Sequence, residues 1–378
     1  MPSYTIPYIK HDGLSENTME GCTLVRYNKP MTDASLGAYR SVVFKGEKLV
    51  AFSPPKSVPF SKFREAQSMA DCTVREFVDG TMLYLWHNGD KDQDQDQDQD
   101  KHQWCVSTRS RVKADKYYRR NVWPLEPVED AAFGTKKIPN TPFQTFTQLV
   151  ERMGDPSLFY AQLRKNCTYV FSLLQRNSFN VVQPHQDEMF LIATYELSDG
   201  NKVEEVQVDV PGVLRPPLHL FRSYSEMLES MAGKGCDFKG YYLCAEKEGA
   251  WSKVLNPSFS AAYEVVGADI NFNKTVLKHV QSNQESKLVA INASFQENVD
   301  AVKTNLEAIA LKLYNNYMTC FIRKRALHKS FPFPYRELMY HLHGQYLTTK
   351  KRITLETAHI YLKSMPLNEL ARLIGIVD

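Results

Sequence analysis

Apolar positions along the first 270 or so residues come in short runs of four to eight, rich in β-branched and aromatic side chains: Ser41 to Phe44, Lys48 to Phe52, Met82 to Trp86, Trp104 to Thr108, Thr168 to Leu174 and Met189 to Tyr195. Clusters of turn formers separate them, such as Ser53-Pro54-Pro55, Asn88-Gly89 and Ser198-Asp199-Gly200-Asn201. Runs of that length between such breakers predict antiparallel strands. Helix-like stretches at Thr145 to Met153 and Tyr224 to Ala232 are interspersed without the strand-helix alternation of a doubly wound sheet, so the class expected is α+β. Near Asn271 the period changes. Val302, Leu306, Ile309, Leu313 and Tyr317, then Leu338, Leu342 and Tyr346, recur every three or four residues, the spacing of amphipathic helices. Thr354 to Ser364 and Leu367 to Ile374 continue the pattern, with Pro366 suited to a first turn and Gly375 to a C-terminal cap. The organisation expected is an antiparallel-sheet domain over residues 1–270 followed by an all-helical domain over 271–378. One segment buries nothing: from Asp90 to Lys101, Asp alternates with Gln, which predicts a disordered hairpin insertion over 90–101.

Composition adds bounds. A chain of 378 residues, 43% apolar and 12% aromatic, has material for two or three sizeable cores. The net charge of +3 is uneven: residues 275–378 hold 14 Lys and Arg against 8 Asp and Glu, leaving an acidic balance before them. Seven widely spaced cysteines (22, 72, 105, 167, 236, 244, 320) form no CxxC pair, which fits a reducing compartment. No apolar run reaches the ~18 residues of a membrane span, and the start lacks the layout of a signal peptide. A cytoplasmic or nuclear protein, not secreted and with no membrane partner, is expected. The basic excess gathers at Arg323-Lys324-Arg325, Lys329 and Lys350-Lys351-Arg352. Two accounts of these stay open, a solubilising surface and a phosphate-binding footprint for RNA or DNA. His341 and His343, two residues apart, would point in different directions on a helix, and Cys105 lies in a strand-like run; neither forms a catalytic or metal pattern.

The Walker loop, GxGxxG, HExxH and GxSxG are all absent. What is present is Phe77-Val78-Asp79-Gly80-Thr81 leading into an alternating strand, the layout of the K-x-D-G-(S/T) segment of covalent nucleotidyltransferases. Other segments follow in order: Tyr39-Arg40-Ser41, Pro54-Pro55-Lys56-Ser57, Trp104 through Thr108-Arg109-Ser110, Lys239-Gly240-Tyr241-Tyr242 and Trp251-Ser252-Lys253-Val254-Leu255. On these segments the chain resembles RNA ligases of the tailed-phage tRNA-repair type and, more closely, the RNA-ligase-like proteins of large DNA viruses. The tail around Leu313 to Tyr317 and Tyr340 to Tyr346 resembles the C-terminal domain of the viral group. That resemblance implies a nucleotidyltransferase fold of the DNA/RNA-ligase, ATP-grasp-like type, RNA and ATP as partners, and a viral protein acting in an infected cell.

In that family a lysine amine attacks the α-phosphorus of ATP with Mg²⁺ assistance, AMP passes to a 5′-phosphate, and a 3′-hydroxyl displaces it. Such an amine must lose its proton, so its pKa has to fall from ~10.4. Here the nucleophile's position is Phe77, which cannot attack phosphorus. Ser172 and Lys239 stand where the family has glutamates, Leu255 where it has a second lysine, and Phe179-Asn180 where it has Asn-Arg. By resemblance Arg40, Phe77, Asp79, Gly80, Thr81, Arg109 and Lys253 form the nucleotide site; on charge, Arg323 to Arg325 and Lys350 to Arg352 are the candidate nucleic-acid contacts; any metal ligands are unassigned. Cations survive better than carboxylates, which fits phosphate binding better than metal-dependent chemistry. Two functions stay open: a degenerate ligase that binds RNA and ATP, and an active ligase with ATP and Mg²⁺ as cofactors, using a relocated lysine such as Lys56.

Overall fold

The computed structural model describes residues 3–89, 103–116, 141–176, 179–245, 248–269 and 271–376; the expected insertion over 90–101 lies outside them. The described residues up to Tyr263 form one compact unit and those from Glu264 onward a second.

Three sheets build the first unit. The largest has six strands in the order β1 (Ser3–Thr5), β11 (Lys202–Glu205), β10 (Glu188–Ser198), β9 (Cys167–Leu174), β7 (Thr81–His87) and β8 (Trp104–Thr108). A second runs β12 (Leu218–His219), β6 (Cys72–Glu76), β13 (Gly240–Ala245), β14 (Ala250–Leu255), and a third β2 (Leu14–Met19), β3 (Cys22–Tyr27), β4 (Val42–Lys45), β5 (Lys48–Ala51). Every pairing between these strands is antiparallel.

β9 is buried at all eight positions because both faces of the large sheet are covered. Val170 joins a core with Tyr84, Trp86, Phe44 and Phe52, whereas Tyr169, Phe171 and Leu173 join another with Leu83, Leu85, Phe146 and Phe159. Alternate side chains thus serve different cores. Burying a ring such as Phe171 contributes roughly 1.5–3 kcal/mol, and Phe171→Ala is expected to cost about 3–5 kcal/mol. The second sheet covers a smaller core of Phe63, Val74, Met227, Tyr241 and Leu243. Helix Pro142–Met153, beside the second of the large sheet's cores, starts on a capping box in which Thr141 and Gln144 satisfy each other's backbone N–H groups.

Beyond Leu255 the described residues hold no strand. Asn271 caps helix Phe272–Gln281 by accepting from the Asn273 N–H, which places the change of period at a helix start. The central helix Gln296–Tyr317 buries Val299, Val302, Leu306, Ile309, Leu313 and Tyr317 along one face. Helices Phe272–Gln281, Phe333–Thr349 and Leu355–Ser364 pack against it, and helix Leu367–Leu373 packs against helix Phe272–Gln281. Among the described residues no helix is long and apolar enough to cross a membrane.

Candidate functional site

Phe77 leaves β6 and begins the short connection to β7, and its backbone is pinned from the neighbouring strand. The Phe77 N–H donates to the Gly240 carbonyl at 2.8 Å. Gly240 has a φ of +136°, and a Cβ there would stand 2.0 Å from the Val254 carbonyl oxygen, so only glycine lets β13 and β14 approach this closely. Gly80 is fixed in a similar way, since its Cβ would lie 2.6 Å from both the Leu173 carbonyl oxygen and the Ser172 Oγ. Two glycines therefore press the Phe77 to Gly80 segment between the large sheet and the β13–β14 hairpin.

Asp79 is fully engaged. Its Oδ1 accepts from Lys239 Nζ at 2.8 Å, its Oδ2 from the Val182 N–H at 3.3 Å, and its backbone carbonyl from Asn180 Nδ2 at 2.8 Å. The pair is largely enclosed, with side-chain exposures of 17% for Lys239 and 11% for Asp79.

Cations converge on this point. Lys239 Nζ lies 4.3 Å and Lys253 Nζ 4.9 Å from the centre of the same Phe77 ring. Lys253 and Trp251 are two apart on β14 and share a face; the indole meets the Lys253 amine at 5.8 Å and the Arg40 guanidinium at 5.7 Å. Arg40 and Arg109 come from segments tied together where Ser41 Oγ donates to the Thr108 carbonyl. Arg109 lies 5.2 Å over the Tyr27 ring, and its Nε and Nη2 are buried with no hydrogen-bond partner.

Charge of one sign this dense has consequences. Burial, then Arg40, Lys239, Arg109 and Lys29, push the Lys253 amine down to about 7. Arg109, then burial and Arg40, pull Lys29 below its usual value, and burial pulls Arg109 the same way. Arg26 adds to the same positive field at Lys29 and Arg109, and Asp79 is already committed to Lys239. Aromatic faces offset part of the cost, at about 0.5–2 kcal/mol per contact. The two buried guanidinium nitrogens of Arg109 are the costlier feature, because donors stripped of water require an acceptor. A polyanion such as a triphosphate supplies several.

The donor set does not suit a metal ion held by protein side chains. Among the described residues no three carboxylates, histidines or cysteines cluster, and Asp79 is occupied.

The structure thus gathers Arg40, Phe77, Asp79, Arg109 and Lys253, with Gly80 beneath them and Thr81 opening β7 opposite Leu173. It does not gather Lys56, which is exposed, with its backbone N–H on the Gly37 carbonyl and its amine outside the cluster's contacts among the described residues. Two members escaped the sequence reading. Lys239 stood out only as a departure from a glutamate, and its pairing with Asp79 joins residues 160 apart; Lys29 carries no motif at all. Arg323, Lys324 and Arg325 follow the π-helical turn Met318–Ile322, and Lys350, Lys351 and Arg352 follow helix Phe333–Thr349; all six are exposed.

No family model and no curated protein sequence matches the chain. Among solved structures it is similar to a lysine-to-methionine mutant of Naegleria gruberi RNA ligase with AMP and Mn, at 10% identity and a TM-score of 0.35 over 58% of this chain and 61% of that one. It is similar to an archaeal ATP-dependent RNA ligase at 12% identity and a TM-score of 0.41, covering 77% of this chain and 72% of that one. The Naegleria ligase with PPi gives 10% identity and a TM-score of 0.33, covering 64% and 65%. The chain spans about three fifths of the length of the first of these ligases.

Proposed function

We propose that this chain is an RNA-ligase-like protein of nucleotidyltransferase type that binds the phosphates of ATP, and RNA, without forming the lysyl adenylate at residue 77. The observation that carries this reading is the pair of buried, unpartnered Arg109 nitrogens in a cation cluster that reaches the Phe77 ring through Lys239 and Lys253. Arg40, Arg109 and Lys253 hold the polyphosphate, Lys239 and Asp79 brace the connection that carries Phe77, and the ring fills the space of an attacking amine. The exposed basic runs Arg323 to Arg325 and Lys350 to Arg352 take RNA phosphates. Divalent metal, where required, arrives with the nucleotide rather than on protein carboxylates.

A second reading, an active adenylyltransferase, is favoured by one observation: Lys253 is an amine within the cluster whose proton is held loosely near neutral pH. Its neutral nitrogen would bond to the α-phosphorus, pyrophosphate would leave, and the amine proton would pass to solvent. Lys56, exposed and outside the cluster, has the weaker claim of the two. One experiment separates the readings. The chain is incubated with α-labelled ATP and Mg²⁺ or Mn²⁺, ATP binding is measured by equilibrium dialysis, and denatured protein is mapped by peptide mass spectrometry. Binding without adduct is the expected result; AMP on Lys253 or Lys56, lost in the corresponding alanine variant, establishes the enzyme, and absence of ATP binding overturns the proposal.

A further inference from the structure

The helical unit has its own meeting of rings and cations, open to solvent. The π-helical turn Met318–Ile322 extends the central helix and sets Phe321 against helix Phe333–Thr349. There Phe321 stacks on His343 with centroids 4.2 Å apart and planes 19° apart, with Tyr317 at 5.4 Å on Phe321 and Tyr346 at 5.9 Å on His343. Tyr340 extends this group outward, meeting Phe321 edge-on at 5.9 Å and His328 at 4.0 Å. Tyr340 is 57% exposed and Phe333 75% exposed. The core is served by the other side of the same helix, where Tyr335, Leu338, Met339 and Leu342 are buried. The outer rings are therefore surplus to packing.

A groove of about 880 Å³ runs along this outer face, past Lys329, Phe333, Arg336, Tyr340, His341 and Gly344. Its lining contains no Leu, Ile, Val or Met, and Glu337 is its one acid. A groove for an amphipathic helix or a lipid tail is built from aliphatic side chains; this one offers ring faces, amides, hydroxyls and cations. Arg336 is held in place by donating to the carbonyls of Phe331 and Lys329. The exposed chain between Phe321 and His328 carries Arg323, Lys324 and Arg325. At Gly344, one turn from Tyr340, nothing lies within 4 Å of where a Cβ would stand, so the groove floor beside the ring is bare.

We infer that this groove is a base-stacking site for single-stranded nucleic acid, with Tyr340 and Phe333 taking the faces of unpaired bases and the flanking cations the phosphates. Every base has a π-face while a duplex hides it, so the site selects strandedness rather than sequence. The inference rests on the proposed function only for the expectation that the strand is RNA, and is independent of the ATP site.

The full chain is titrated with a 12-nucleotide RNA carrying 2-aminopurine, with DNA of the same sequence and with the duplex as separate arms, reading anisotropy and base fluorescence. Binding with quenching by both single strands and much weaker binding of duplex are expected. Tyr340→Leu keeps bulk and removes the ring, and should lower affinity roughly tenfold, the loss of about one stacked base. Gly344→Leu fills the groove from a helix position with room for it, so its melting temperature should hold or rise while affinity and quenching fall. Salt-sensitive RNA binding without quenching, unmoved by either variant, overturns stacking and leaves RNA binding intact. Displacement of the oligonucleotide by poly-glutamate as readily as by poly-U overturns it too, by making the face a general polyanion surface. Failure of any oligonucleotide to bind overturns both the groove and the RNA part of the proposed function, whatever ATP does.

Discussion

Both units set cations against aromatic rings, but they do so on opposite sides of the solvent boundary. Around Phe77 the charges are half-buried: Lys239 and Lys253 share one ring, Arg109 has two buried nitrogens without acceptors, and Asp79 is taken by Lys239. Along helix Phe333–Thr349 and its flanking turns the charges stand in water, and the rings beside them are exposed as well. Low dielectric amplifies every term at the first site, the repulsion in the empty molecule and the attraction to an anion alike. At the second, screening beyond ~10 Å reduces each charge to a small, additive contribution. On the proposed function, the first arrangement would serve a compact polyanion and the second an extended one.

The largest effect is expected at Arg109. Arg109→Met keeps apolar contact with Tyr27 and removes donors that would otherwise bind phosphate through charge-assisted hydrogen bonds worth roughly 1.5–3 kcal/mol each. ATP affinity by dialysis should fall about a hundredfold. The same substitution should raise the melting temperature of the nucleotide-free protein by a few degrees, because it relieves an uncompensated buried cation. A variant that binds ATP normally would show that the socket lies elsewhere.

Next in size is the pH dependence carried by Lys253. Its folded-state pKa of about 7 lies below that of a free lysine, so the unfolded chain binds more protons between pH 7 and the ordinary lysine range. The charged amine therefore costs the empty fold its full penalty below pH 7, and stability should rise with pH across that window. Bound polyphosphate favours the protonated amine, so ATP affinity should fall as pH goes from 6 to 8, by roughly tenfold in excess of Lys253→Gln measured in parallel. That parallel removes the titration of the phosphate itself. Equal pH profiles for the two proteins would remove Lys253 from the site.

Smaller still are the exposed runs. Changing Arg323, Lys324 and Arg325 to Gln should lower the slope of log affinity for single-stranded RNA against log salt by up to about 2, near 0.7 for each phosphate no longer neutralised. The slope for ATP at the enclosed site should be untouched. A salt slope unchanged in the triple variant would return these residues to plain surface solubility.

The two sites were legible in the sequence to different degrees, for physical reasons. Met82 to Trp86 and Trp104 to Thr108 announced themselves as strands because breakers bound them, and Val302 to Tyr317 as a helix because its burial follows a single face. β2 did not, since Leu14–Met19 is polar and largely exposed at the edge of its sheet. Arg40, Asp79, Arg109 and Lys253 could be singled out from the order of short segments along the chain, and the structure places them in one cluster. The pairing of Lys239 with Asp79 was hidden, because register between distant segments is a property of the assembled sheets. The outer rings of the helical unit were hidden because the sequence does not say which side of helix Phe333–Thr349 faces the core; the fold shows Tyr335, Leu338, Met339 and Leu342 buried and Phe333 and Tyr340 exposed.

The smallest effect on catalysis is predicted for the substitution that looks most restorative, Phe77→Lys. It puts an amine at residue 77 but removes the ring over which Lys239 and Lys253 lie, and adds a further cation to a cluster whose Asp79 is already committed. Its proton would be easily lost, so nucleophilicity alone does not limit it. Placement does: Asp79 is braced against Lys239 and the Val182 N–H, and Ser172 and Lys239 supply no carboxylate beside it. We expect no labelled adduct above background with ATP and Mg²⁺ or Mn²⁺, and a melting temperature several degrees below the parent from the added repulsion. Melting measured with and without tripolyphosphate checks the cause, since a polyanion should recover most of the loss. Robust adenylylation by the single variant would mean that the socket retains the geometry of catalysis and lacks only its amine, erasing the distinction drawn between binding phosphate and acting on it.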